Sequence, residues 1–157
     1  MKKILFFVTL FLTFIAQSLF AQEGSKAEPG QLLSLYYEIK DALVSGNSTT
    51  ASVKARDFVK VMESIEAKIV GESNRDALLK DAKEVSNSKD LAKQRVSFAL
   101  FSDNMISLAK TVKLSADPVY QQYCPMKKAS WLSSQQAIKN PYYGSAMLTC
   151  GSVKATL

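Results

Sequence analysis

Histidine is absent from this 157-residue chain, cysteine occurs twice and tryptophan once. Without imidazole there is no Ser-His-Asp or Cys-His nucleophile, no histidine proton shuttle and no histidine-rich zinc site. Any catalysis would have to use carboxylates, Lys, Tyr or Cys. Two cysteines limit the covalent framework to a single bridge. Long charge runs are also missing: the only adjacent basic pair after residue 3 is Lys127-Lys128. A nucleic-acid surface would need a basic stripe interleaved with exposed aromatics, and neither is present. With 47% apolar and 22% charged residues, the composition is that of a packed globular protein and the length suits one domain.

The one long hydrophobic run is at the start. In MKKILFFVTLFLTFIAQSLFAQ, Lys2 and Lys3 precede an apolar stretch from Ile4 to about Ile15, which gives way to small and polar residues. This pattern is a secretory signal peptide, residues 1–21, with cleavage after Ala21. No cysteine lies near the cleavage region, so the expectation is an exported protein that is not a lipoprotein and has no membrane contact once the signal is gone. Losing Lys2 and Lys3 lowers the formal net charge from +6 to +4.

Beyond a polar linker at 22–29, the apolar residues fall into helical registers. Pro29 suits a first turn, and Leu32, Leu35, Tyr36, Ile39 and Leu43 recur at spacings of three and four before Gly46 and Asn47. A second stripe carries Phe58, Met62 and Ile65 and stops by Gly71. Ser73 and Asp76 resemble a capping box that opens a third, with Leu78, Leu79, Ala82 and Val85. A fourth runs through Leu91, Phe98, Phe101, Met105, Leu108 and Val112. The expected helices are about 30–45, 50–68, 73–86 and 89–113. Links of three to six residues make successive helices antiparallel neighbours, so the expected fold is all-α, an up-and-down four-helix bundle. Glu38, Asp41, Glu63 and Glu66 sit at spacings typical of solvated helix faces and belong to no Glu-x-x-His motif, so no enzyme is expected.

From Asp117 the helical period is lost. Pro118, Pro125, Pro141, Gly144 and Gly151 punctuate a segment that holds both cysteines, the tryptophan and four of the six tyrosines. We expect residues 117–157 to form an irregular strap packed on the bundle, within a single domain from 30 to 157. Trp131, Leu132, Ile138, Tyr142 and Leu148 would supply its apolar underside. Cys124-Pro125-Met126 places two sulfurs two residues apart, and in extended backbone such residues share a face. Met147 and Cys150 lie one helical turn apart. If the strap doubles back, Cys124, Met126, Met147 and Cys150 converge. Thiolate and thioether are soft donors that suit Cu(I), with Ag(I) as a mimic. The competing reading is a Cys124–Cys150 disulfide: exported cysteine pairs are usually bridged, and closing this loop would contribute about 3–4 kcal/mol in the chain-entropy model. The two states exclude each other at any instant.

The elements YCPM, WLS and NPYYGSAMLTCGSV, together with the opening LYYEIKDALVSGN, resemble the DUF3347 family. Its domain occurs in small exported Bacteroidetes proteins and as an appendage of periplasmic adaptor subunits of copper and silver efflux pumps. The YCPM element is also similar to the CPM opening of small heavy-metal-binding domains, which continue with histidine where this chain has Lys127. The resemblance implies a periplasmic protein that handles Cu(I), with an efflux adaptor as partner and metal ligands at Cys124, Met126, Met147 and Cys150. Tyr123, Trp131 and Tyr143 would flank that site, and Asn140, Tyr142 and Gly144 would set the turns that assemble it. N-terminal sequencing of the exported protein should read Gln22 first; an unprocessed Met1 would contradict the leader assignment.

Overall fold

The computed structural model describes residues 28–157; the expected leader, and all but the last two residues of the expected linker, lie outside the described residues. Helix α1 spans Pro29–Val44, α2 Ser48–Ser64, α3 Ala67–Val70, α4 Glu72–Asn87 and α5 Leu91–Thr111. Strand β1 spans Tyr120–Cys124, β2 Ala129–Ser133 and β3 Ser152–Thr156, with a 3-10 turn at Gly144–Met147 before β3. Among the described residues no helix is long and apolar enough to cross a membrane.

The four long helices follow the apolar stripes, and three of their starts follow local chemistry; α4 begins behind Gly71 with no side-chain cap, so Ser73 lies inside the helix and the expected capping box does not form. Pro29 opens α1 in the first turn, where its missing N–H costs nothing. Asn47 caps α2 by accepting from Thr50 N–H at 2.9 Å, and Asp90 caps α5 by accepting from Ala92 and Lys93 N–H. The second helix ends earlier than its apolar spacing implies. Ile65 turns extended (φ −82°, ψ 136°) yet stays buried, and the short α3 follows before Gly71 reverses the chain at φ +79°. A buried side chain keeps the apolar register going across a backbone break, so the sequence period does not reveal it.

Each long helix packs on the next in sequence, and aromatic side chains close α1 onto α5. Tyr36 stacks on Phe98 with ring centroids 5.3 Å apart and meets Phe101 at 5.6 Å, and Phe101 stands edge-on to Phe58 at 4.8 Å. Polar ties join the helix ends. The buried Gln94 amide donates to the carbonyls of Ser48, Val85 and Ser88, which binds the start of α2 to the α4–α5 turn. Ser52 Oγ donates to the Ser86 carbonyl in the same region.

The all-α assignment is corrected by the C-terminal third. Residues expected as an irregular strap form a three-stranded antiparallel sheet, ordered β2-β1-β3. Register runs Tyr120 opposite Ser133 and Cys124 opposite Ala129 on one side of β1, and Tyr120 opposite Thr156 and Tyr123 opposite Ser152 on the other. A register shift between Gln121 and Gln122 bends β1 where it pairs with β3. Val119 and Leu157 exchange backbone hydrogen bonds just beyond the ladder.

The sheet is docked on the helices through β2 and α5 and by one phenol. Tyr36 Oη, fully buried in α1, shares a hydrogen bond with Ser102 Oγ of α5 at 2.7 Å and accepts from the Leu132 N–H of β2 at 3.1 Å. Tyr142 continues the aromatic column, 6.0 Å from Phe98 and 5.9 Å edge-on from Trp131. Its hydroxyl donates to the Ser130 carbonyl at 2.5 Å. Replacing Tyr36 by Phe removes the acceptor for a buried N–H and should lower stability by about 1–3 kcal/mol. Urea unfolding of Tyr36→Phe checks this, and a midpoint equal to wild type would contradict the docking role.

Candidate functional site

Alternation along β1 turns Gln122 and Cys124 inward, the reverse of a strand with apolar residues inside. Gln122 is tolerated there because its side-chain amide donates to the carbonyls of Gln135 and Gln136 at 2.8 and 3.1 Å, holding the loop that follows β2. Cys124 closes the strand with no solvent exposure. Pro125–Lys128 make the turn into β2; Lys128 sits at φ +56° and its N–H returns to the Cys124 carbonyl at 2.8 Å.

Cys150 reaches this corner because β3 pairs with β1. With Ser152 opposite Tyr123, the residues just before Ser152 lie against the end of β1. The approach requires Gly151, which has φ +150°: a Cβ there would lie 2.9 Å from the Trp131 ring and 2.9 Å from the Tyr123 carbonyl. The two sulfurs then face each other at 3.2 Å as free thiols. That separation exceeds a disulfide bond of about 2.05 Å. It lies within the span of up to about 4.6 Å that two thiolate–metal bonds of about 2.3 Å can bridge.

The pair is asymmetric. Burial pushes the Cys124 thiol up, but hydrogen bonds from the Lys127 N–H, the Cys150 thiol, the Asn140 side chain and the Met126 N–H outweigh it and hold the group below the ordinary thiol range. Cys150 moves the other way, because its hydrogen bond to Cys124, burial and the charge of a Cys124 thiolate all disfavour its ionisation, against a smaller opposing bond from the Met126 N–H. Cys124 is therefore the thiol disposed to ionise first, and Cys150, half-buried, is the one nearer solvent.

Of the expected four-sulfur set, the structure brings the two thiols together. Met126 stands in the turn with 65% of its surface exposed, its backbone beside both sulfurs and its side chain toward solvent. Met147 ends the 3-10 turn half-buried, and its carbonyl accepts from the Cys150 N–H at 3.1 Å. Among the described residues no group of three or more His, Cys, Asp and Glu side chains could hold a metal ion.

The flanking aromatics have distinct places. Trp131 is fully buried, with its ring against Gly151 and Tyr142 and its indole N–H without a hydrogen-bond partner, which is the position of a core anchor. Tyr143 is half-buried and donates its backbone N–H to Asn140 Oδ1 at 3.3 Å. Tyr123 alternates away from the inner face and carries Lys154 Nζ 5.5 Å from its ring centroid. Asn140 has a larger part than a turn former: it is fully buried, donates to the Cys150 carbonyl at 2.8 Å and reaches the Cys124 thiol. The Asn-Pro pair signals the turn in the sequence, but nothing in it signals the contact with the thiols.

Thiolate absorbance of the reduced protein should rise in two steps with pH, one below and one above the ordinary thiol midpoint. The two steps belong to the pair as a unit. The depressed first ionisation adds folding stability that is present above the unfolded thiol value and lost as pH falls through the native one; the raised second subtracts stability as pH climbs above the unfolded value. A single step at the ordinary thiol midpoint would contradict the pairing.

The family profile described as a protein of unknown function, DUF3347, matches residues 32–117. The matched segment covers the helices and stops before β1, so the cysteine-bearing sheet lies outside it. Comparison with curated proteins and with solved structures gives no match. With more than half of its length matched, the chain belongs to the DUF3347 family.

Proposed function

We propose that this protein binds a soft monovalent cation, Cu(I) with Ag(I) as mimic, through Cys124 and Cys150, as an exported carrier and not a catalyst. The observation that supports this most directly is the meeting of two thiols at 3.2 Å, one of them favoured as thiolate by turn N–H groups. A two-thiolate site without imidazole or carboxylate is a donor set for a soft ion and a poor one for Mg, Ca or Mn. Met126, whose side chain would have to turn in from solvent, and Met147, whose carbonyl accepts from the Cys150 N–H, are the thioethers that would complete the coordination. The signal-like N-terminus and the resemblance to domains of copper and silver efflux adaptors support a periplasmic carrier in this reading, with such an adaptor as its recipient. Metal is the cargo in this reading, passed on between sulfur sites.

One observation favours a second reading. The same sulfur separation is short enough that a small closure would make a Cys124–Cys150 disulfide, leaving a structural or protein-interaction module without metal.

Titration with Cu(I) against a competing chelator separates the two. The reduced wild type should bind one equivalent. Cys124→Ala and Cys150→Ala should each lose more than about 100-fold in affinity, the upper end of what losing a supporting residue alone does, while Met126→Leu and Met147→Leu lose about tenfold or less. Natively purified protein lighter than the reduced chain by two hydrogens, with no copper uptake after reduction, would establish the disulfide module instead.

A further inference from the structure

Asn140 is hydrogen-bonded through both its side chain and its backbone. Its Oδ1 accepts from the backbone N–H of Tyr142 at 2.8 Å and of Tyr143 at 3.3 Å, and its Nδ2 donates to the Cys150 carbonyl at 2.8 Å. Its own backbone N–H donates to the Leu148 carbonyl at 2.8 Å, and its carbonyl accepts from the Gly144 N–H at 3.0 Å. One fully buried residue thus holds both ends of the 142–150 segment, with its side chain also in hydrogen-bond reach of the Cys124 thiol. The β3 ladder cannot do this alone, because its register pairs begin at Ser152, two residues beyond Cys150. The following Pro141 disfavours helical conformation at Asn140, which lies outside any helix.

We infer that Asn140 is the positioning residue of the thiol pair: its carboxamide fixes the Cys150 backbone against the end of β1 and so sets how closely the two sulfurs approach. This rests on the reading that the pair is the working part of the molecule. Chelation of a cation and closure of a disulfide both depend on the effective concentration of one sulfur at the other, which falls when Cys150 is released. Aspartate in this place keeps oxygens to accept from Tyr142 and Tyr143, loses the Nδ2 donor, and puts a carboxylate against the Cys150 carbonyl and the Cys124 sulfur.

The test is the equilibrium of the full chain with glutathione. The Cys124 and Cys150 thiols give two protons and two electrons to glutathione disulfide, forming the intramolecular bridge and two molecules of reduced glutathione. In Asn140→Asp the equilibrium constant should fall at least about tenfold, the size expected for one lost buried hydrogen bond to this segment, and Cu(I) affinity should fall with it. Gln94→Ala is the control. It removes another fully buried carboxamide, one that ties three carbonyls in the helical layer, and it should lower the melting temperature without moving the equilibrium. An unchanged constant in Asn140→Asp overturns the inference. In the wild type itself, the Asn140 side-chain amide resonances should shift when the pair is oxidised; resonances that do not respond also overturn it, whatever the variant's folding. A fall in the constant together with a wild type that binds no Cu(I) would uphold Asn140 and remove the metal function.

Discussion

The pairing of β3 with β1 is the constraint on which the chemistry of this fold depends. The chain leaves β2 at Ser133 and wanders through a loop and a 3-10 turn, and only the final strand brings it back beside its own start. Two cysteines 26 positions apart then meet at the sheet's end. The close approach needs a residue without a side chain at Gly151, since Trp131 and the Tyr123 carbonyl fill the space that a Cβ would take. Packing around the tryptophan and placement of the thiols are therefore one arrangement. The same indole that anchors the core also sets how near the last strand can come.

The helices contribute rigidity more than chemistry. An aromatic column runs from Phe58 through Phe101, Tyr36, Phe98 and Tyr142 to Trp131, in steps of 4.8 to 6.0 Å, and so joins the bundle interior to the underside of the sheet. Tyr36 and Tyr142 each use a hydroxyl to satisfy a backbone group of β2, an N–H in one case and a carbonyl in the other. Burial raises both phenols above their ordinary range and so favours their neutral form. A sheet held by neutral hydrogen bonds and ring contacts can keep its orientation while the thiols at its end change charge or oxidation state.

How much of this was legible in the sequence follows from which side chains face inward. The long helices carry Leu, Ile, Phe and Met at spacings of three and four, and the first stops before Gly46-Asn47, so their existence and most of their limits could be read. The break at Ile65 could not, because that residue stays buried after the backbone turns extended. The sheet was hidden for a different reason. In β1 the buried positions are Gln122 and Cys124, so that strand shows no apolar alternation; β3 does alternate, with Val153 and Ala155 between polar residues, but it is only five residues long and mostly exposed. Sulfur spacing in a chain that doubles back predicts four sulfurs at one point, whereas the structure brings only the two thiols together. The exposure of Met126 and the reach of Asn140 to both cysteines come from turn geometry, which residue spacing does not encode.

The thiol pair, assembled by the sheet and braced by the bundle, is where the account places the protein's work. X-ray absorption at the copper edge of the Cu(I)-loaded, reduced protein tests that placement most directly. The expected result is a first coordination sphere of sulfur alone that is lost when Cys124 or Cys150 is replaced by Ala. Nitrogen or oxygen neighbours, or an unchanged sulfur sphere in both variants, would contradict it.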